Sequence, residues 1–315
     1  MEATLLHVRA LLIANPKATT TSRRARDVLM RAFAGEVRLE LAETQRRGHA
    51  TELAAQAAGE GYDVVIALGG DGTVNEAVNG LLADGPSPDV PALAIVPTGS
   101  ANVFARALGM QNNPLDAAGQ VLEALRAGRS RTVGLGQAGS RYFTFCAGLG
   151  LDAEVVHAVE KLRDSGSRAY STLYARTALR QFFVLTDRRR PALTLEAPSK
   201  PPLGHIFIGI VSNTAPWTYA GRWPIDPNPR ASFATGLDLF ALRRFDVLST
   251  LGVLAQIVPP FNRLPRGGHI LGLHDLPEFT LRSRRPIAFQ VDGDYLGQRE
   301  FVTFRSVPKA VRVVI

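Results

Sequence analysis

The stretch VVIALGGDGTVNEAVNGLL, from Val64 to Leu82, begins as an unbroken apolar run and ends with apolar residues at helical spacing. It reads as a buried strand, a glycine-rich turn and a helix. Gly69, Gly70 and Gly72 place no Cβ between the backbone and a ligand, so the chain can approach closely there. The helix that follows points its free N–H groups and positive dipole end at the same place, which is how a phosphate is held. Asp71 is the anomaly, because it puts a carboxylate where a polyanion should sit. The conflict resolves if Asp71 holds Mg²⁺, directly or through water, since Mg²⁺ is bound by one or two carboxylates together with substrate phosphates. A plainer reading exists: Thr73 and Glu76 have the spacing of a helix capping box, and the turn would then only start a helix. A cap requires neither three glycines nor an aspartate, so a nucleotide with Mg²⁺ is the favoured reading.

The same grammar extends on both sides. ALLIANP, EVRLELAET, YDVVIALGG and PALAIVPTGS read as strands, each followed by a helical segment, and DAAGQVLEALRAG adds one more helix. Strands alternating with helices imply right-handed crossovers and a mostly parallel sheet, with ligands bound beyond the strand C-termini. After about Ser130 the pattern changes to short strands separated by turn residues, with helices expected only at SRAYSTLYARTALRQFFVL and DVLSTLGVLAQIV. The expected fold is therefore an α/β N-terminal domain plus a β-rich sandwich. Residues 1–130 would bind nucleotide, joined by a C-terminal tail of about 305–315, and residues 131–304 would handle the other substrate.

Composition narrows the functional classes. The chain has 315 residues, 46% of them hydrophobic and 20% charged, enough to build real cores. No run of about 18 apolar residues occurs, the apolar piece from Val247 to Val258 is too short to span, and no signal-peptide pattern opens the chain. The single Cys146 allows no internal disulfide and reads as a packed thiol. The formal net charge of +8 favours an anionic partner: nucleotide, nucleic acid or an acidic membrane surface. The arginine clusters are not interleaved with aromatics, and no zinc-finger spacing is present, so nucleic acid is disfavoured. No Gly-Lys pair exists, which excludes the Walker loop, and Gly134-Leu-Gly136-Gln-Ala-Gly139 precedes a strand, so it is a hairpin rather than a dinucleotide fingerprint. The six histidines show no metal-ligand spacing.

Taken together, NPKA, TQRRGHATELA, GGDGTVNEAVNGL, PTGSANVFARALG, CAGLGLDAEVV, TGLDLFAL and QVDGDYLG resemble the diacylglycerol kinase catalytic-domain family over nearly the whole chain. That family includes bacterial soluble lipid kinases and the sphingosine and ceramide kinases. GGDGT alone is less specific, because NAD kinases and phosphofructokinases carry similar turns; the later motifs point to the lipid kinase branch. The resemblance implies an ATP- and Mg²⁺-dependent kinase of a lipid hydroxyl, with diacylglycerol converted to phosphatidic acid. It implies that Asn15, Pro16, Lys17 and Ala18 form the first nucleotide loop, that Thr44 contacts ATP, and that Gly69, Gly70, Asp71, Gly72, Thr73 and Asn75 form the phosphate loop. Ser100 stands where the family has threonine and keeps the hydroxyl; Asp152 joins Asp71 around the metal; Asp294 stands where the family has the glutamate that accepts the substrate proton.

Each assignment has a plainer rival. Asn15-Pro16 can simply end a strand, Asp152 can cap the helix that follows it, and Asp292-Gly293 is a strong hairpin signal. Three departures stand out: Val103 follows Asn102 where the family commonly has aspartate, Asp294 is one methylene shorter than glutamate, and Thr235 replaces an aspartate that helps a structural Mg²⁺. These departures support one rival function, a nucleotide-binding regulator without turnover; the other rival, a kinase for a soluble acceptor such as NAD, lacks support from the β-rich second half. The expected location is cytoplasmic, peripheral to the inner membrane surface. YSTLYARTALRQFFVL with Arg188 to Arg190 is a candidate for lying on an anionic bilayer, against the plainer reading of core packing. An exposed edge strand in the β-rich domain would also allow a homodimer.

Overall fold

The computed structural model describes residues 5–16, 23–164, 191–198, 201–244, 246–260 and 263–315. Lys17, Ala18, the helix expected around 167–185 and Arg188 to Arg190 lie outside the described residues. In chain order the elements are β1 (Leu5–Ala14), α1 (Arg23–Ala34), β2 (Val37–Glu43), α2 (His49–Gly59), β3 (Val64–Gly69), α3 (Asp71–Leu81), β4 (Ala92–Pro97), α4 (Val103–Ala107), α5 (Pro114–Arg126) and β5 (Ser130–Ala138). Then come β6 (Arg141–Phe143), β7 (Cys146–Leu149), α6 (Leu151–Asp164), β8 (Leu193–Glu196), β9 (Leu203–Ile206), β10 (Ile208–Ser212), β11 (Thr218–Ala220) and β12 (Trp223–Ile225). The chain closes with β13 (Leu237–Leu242), α7 (Val247–Ile257), β14 (Ile270–Leu276), β15 (Glu278–Val291) and β16 (Asp294–Val314). Two compact units result: residues 1–135 with 308–315, and residues 136–307.

In the first unit the parallel strands run in the order β2-β1-β3-β4, and the end of β16 lies beside β4 with Val313 opposite Leu93. Every residue of β3 and β4 is buried, as expected where helices cover both faces of a parallel sheet. Leu12, Ile13, Ile66, Leu93 and Ile95 form the middle of this core, with Leu29 and Phe33 packed in from α1. Helices α2 and α3 touch at backbone distance, because a Cβ on Gly80 would run into the Thr51 carbonyl. The chain leaves β1 in one direction to reach β2 and returns on its other side as β3. That reversal opens a crevice at the C-terminal ends of β1 and β3, the place where open α/β sheets take ligands.

The second unit is antiparallel. Its order is β14-β13-β10-β7-β15-β16, with β8 paired to β15 and β9 paired to β8. Residues 280–283 of β15 pair with β8, while residues 289–291 pair with β7, and a register irregularity separates the two halves. One strand thus serves two layers. Their inner faces meet in a core that includes Phe143, Leu195, Leu237, Leu239, Phe279, Leu281 and Phe304. The β5–β6 hairpin turns at Gly139, which adopts φ 62°, and Gly136 leaves room for the Phe143 ring, so the glycines that mimic a dinucleotide fingerprint serve a hairpin. Two expectations change. The helix expected over ANVFARALG is the five-residue α4. Gly72 and Thr73 already belong to the first turn of α3, which starts at Asp71 rather than after the glycines.

Candidate active site

The first unit gathers four of the sequence-singled stretches at one edge of its sheet. Asn15 N–H donates to the Leu68 carbonyl at 3.1 Å, Thr44 N–H to Ala14 at 2.9 Å, and Thr98 N–H to Gly69 at 2.9 Å. The loops after β1, β2, β3 and β4 are thereby tied together just beyond their strands. Gly70 and Gly99 bring two of these loops into backbone contact: a Cβ on Gly99 would lie 2.7 Å from the Gly70 Cα, and one on Gly70 would lie 3.0 Å from the Gly99 Cα. Real Cβ atoms hardly tolerate such distances, so this floor requires glycine on both sides. A Cβ on Gly69 would strike Thr73. Asn15 Nδ2 reaches Thr73 Oγ1 at 3.4 Å.

Gly70 is the N-cap of α3 in extended conformation, and no side chain caps that helix. The capping-box reading of Thr73 and Glu76 is therefore corrected. Thr73 is buried, and Glu76 instead accepts Gly48 N–H at 2.8 Å and Ala50 N–H at 3.1 Å, capping the start of α2. With glycine at its N-cap, α3 begins without a side-chain cap from that residue, and helix N-termini of this kind suit an anion. Asp71 is the first residue of that helix, and its Oδ1 accepts the Phe104 N–H at the start of α4, at 3.3 Å. Ser100 is exposed on the rim, Thr44 is half-buried, and Asn75 is fully buried with Asn79 Nδ2 donating to its side-chain oxygen at 3.2 Å. Asn102 holds the loop after β4 closed: its Oδ1 accepts Gly99 N–H at 2.9 Å, and its Nδ2 reaches the Gly99 carbonyl at 3.0 Å and Asn112 at 2.7 Å. It does so at φ 49°, a left-handed conformation in which asparagine is enriched.

The second unit carries the other carboxylates. Asp152 lies in the first turn of α6, whose backbone begins with Glu154 N–H donating to Gly150, so Asp152 does not cap the helix. Its Oδ2 accepts Gln290 Nε2 at 2.6 Å. Gly148 makes the space for it, since a Cβ there would overlap the carboxylate. Gln290 is buried, and its Oε1 accepts Gly293 N–H at 2.9 Å. One amide therefore links Asp152 to the turn that delivers Asp294. That turn has Asp292 at φ 48° and Gly293 at φ 80°, the two left-handed residues of a tight hairpin. The Asp292 carboxylate accepts Thr144 N–H at 2.7 Å, Thr144 Oγ1 at 2.8 Å, and Phe145 and Cys146 N–H at 3.0 Å each. Burial pushes this carboxyl up and the four donors oppose that shift; its visible role is to lock the hairpin to the β6–β7 corner. Asp294 begins β16 opposite Val291, partly exposed, with the Arg141 guanidinium 3.9 Å away. The next residue is held too: Tyr295 N–H donates to Glu160 at 3.1 Å and its ring lies 3.9 Å from the His157 ring.

Burial against the sheet pushes the Asp152 carboxyl up to about 6, and the Gln290 hydrogen bond only partly offsets this. The folded chain then holds that proton more tightly than the unfolded chain. Stability falls as pH rises from the ordinary 3.8 to about 6 and stays reduced above it. In metal-free buffer, Asp152→Asn is expected to stabilise the protein at pH 8 by about 2 kcal/mol, or about 3 °C in Tm. The gain should vanish near pH 4. Thermal melts of both proteins across this range check it, and a pH-independent gap would rule out the burial of this charge as the cause.

Among the described residues, no group of three or more His, Cys, Asp or Glu side chains is placed to hold a metal ion. Mg²⁺ takes one or two carboxylates and leaves its other positions to water and phosphate, and Asp71 in the first turn of α3 is a carboxylate such an ion could use. Thr235, where the resemblance implies an aspartate, donates its hydroxyl to the Ser232 carbonyl at 3.1 Å.

The family model for the diacylglycerol kinase catalytic domain matches residues 9–138. The Bacillus subtilis diacylglycerol kinase is 31% identical over 260 residues, 79% of this chain and 77% of that one. The Staphylococcus saprophyticus diacylglycerol kinase is 36% identical over 137 residues, 43% of each chain. These likenesses define the class: a kinase that phosphorylates a hydroxyl group. A solved Bacillus anthracis protein shares the fold with a TM-score of 0.74 at 20% identity over 97% of this chain and 96% of that one. The chain belongs to the diacylglycerol kinase family, and the resemblance read from its motifs holds.

Proposed function

We propose that the protein transfers the γ-phosphoryl group of ATP to the free hydroxyl of diacylglycerol, giving phosphatidic acid. The observation that carries this reading is the glycine floor between the β3 and β4 loops, where α3 starts from Gly70 with the Asp71 carboxylate in its first turn. The first unit is assigned the nucleotide, with Asn15, Pro16, Lys17, Ala18, Thr44, Gly69 to Thr73 and Ser100 around it and Asn75 supporting α3 from inside. Asp71 and Asp152 would hold Mg²⁺, which supplies charge neutralisation on the phosphates when bound. The α3 N–H groups cradle the phosphate oxygens. Asp294 accepts the hydroxyl proton as the lipid oxygen bonds to phosphorus and the bond to the ADP oxygen breaks. The second unit is assigned the lipid. Because that substrate lives in a bilayer, the protein would work peripherally, at the inner membrane surface.

The test is purified protein with Mg²⁺ and radiolabelled ATP on mixed micelles of a lipid extract and, in a parallel reaction, on NAD. Label is expected in phosphatidic acid. Label in another lipid would replace the substrate, and label only in NAD, or ATP binding without turnover, would overturn the lipid kinase reading for this chain.

A further inference from the structure

Helix α7, sequence VLSTLGVLAQI, contains no charged residue. Its inner side belongs to a small core: Val253 and Ile257 pack with Ile208, Ile210, Phe240 and Leu242, and Leu151, the neighbour of Asp152, packs against the same cluster. Its outer side is equally apolar yet open to solvent, with Leu248 82% exposed, Leu251 57% and Leu254 43%. A helix that is apolar all round is normally buried, and a clustered exposed apolar surface marks an interaction site.

The charges around this helix indicate its partner. Arg243 and Arg244 precede it. After Pro259-Pro260 the chain folds back onto the last turn: Arg263 N–H donates to the Gln256 carbonyl at 2.9 Å, and Arg266 N–H to Gln256 Oε1 at 2.8 Å. Exposed arginines therefore bracket the leucine face at both ends, with Leu264 exposed between the second pair. On the first side, Arg243 and Arg244 join His205, Gly268 and His269 around a hollow of about 590 Å³. The acidic group there is Asp246, which caps α7 through Ser249 and lies 3.6 Å from Arg244. Apolar side chains flanked by arginine are the composition of a helix lying in the interface of an anionic bilayer, leucines among the acyl chains and guanidinium groups at the phosphates.

We propose that the leucine face of α7 docks the enzyme on an anionic phospholipid bilayer, with the Arg243–Arg244 hollow seating a lipid phosphate. This rests on the lipid substrate reading and adds the surface by which that substrate is reached.

The full chain would be sedimented with vesicles of phosphatidylcholine alone and with about a third phosphatidylglycerol. Wild type is expected to bind the anionic vesicles at least about tenfold more tightly. Leu248→Ser/Leu251→Ser/Leu254→Ser should lose about tenfold or more on those vesicles, and Arg243→Ser/Arg244→Ser a similar factor. Both should phosphorylate short-chain, water-dispersed dioctanoylglycerol at the wild-type rate and melt at the wild-type temperature. Unchanged vesicle binding in the leucine variant overturns the proposal. So does a large drop in its melting temperature, which would mean that the chain itself covers this face, or loss of a wild-type dimer without loss of vesicle binding, which would assign the face to a second copy. No turnover of dioctanoylglycerol by wild type would refute the kinase reading separately, while vesicle binding would still judge the surface.

Discussion

Asp71→Ala is expected to lower kcat/KM for lipid phosphorylation by at least about a thousandfold while leaving the protein folded. The structural cost is small. The Asp71 carboxylate accepts the Phe104 N–H at 3.3 Å, a hydrogen bond worth about 1 kcal/mol in net terms, and the helix it begins takes Gly70 as its N-cap. The chemical cost is large, because the carboxylate is the one acidic side chain in the first turn of α3, where phosphates would collect. Without it, the first turn of α3 has no carboxylate with which to match a divalent cation to a nucleotide. The discriminating measurement is nucleotide affinity with and without Mg²⁺. Wild type should bind more tightly with the ion, and Asp71→Ala should lose that dependence while still binding metal-free nucleotide through the α3 N–H groups. Asp71→Asn separates charge from shape, since it keeps an oxygen for Phe104. Should it retain a tenth of wild-type activity or more, the carboxylate is not a metal ligand.

The sequence declared this part of the molecule well. An unbroken apolar run announces a strand buried on both faces, and β3 is buried along its whole length; the glycines after it announce close backbone approach, and Gly70 meets Gly99. What sequence spacing could not supply is partner choice across the fold. Thr73 and Glu76 have the interval of a capping box, yet Glu76 caps α2, whose N-terminus comes alongside only through the α2–α3 packing at Gly80. Gly99 and Asn102 were visible inside PTGSAN but not their work, which depends on the β3 and β4 loops touching. Gln290 was silent for the same reason. Nothing local marks it, and only the antiparallel pairing of β15 with β7 puts its amide between Asp152 and Gly293.

That amide organises the second expected result. Asp294→Asn should reduce kcat by about a hundredfold to ten-thousandfold, the range a positioned general base contributes, with little change in melting temperature. Its neighbour two residues earlier should behave in the opposite way. Asp292 is buried and satisfied by four donors, so Asp292→Ala strands those donors and should cost several kcal/mol of stability. Asp294 differs from it: it is partly exposed, and its pair with Arg141 at 3.9 Å is of the kind worth at most about 1 kcal/mol. The geometry before it is already fixed by Asp292 and Gln290, so the asparagine variant removes the proposed proton acceptor without moving the side chain. Asp294→Glu adds one methylene and restores the residue the family resemblance implies at this position. It should keep activity within about tenfold of wild type, because a carboxylate remains within reach of the hydroxyl. Kinetics on dioctanoylglycerol with thermal melts of all four proteins give the answer. If Asp294→Asn turns over like wild type while Asp292→Ala unfolds, this hairpin is a structural lock alone, and the proton must leave the substrate by another group.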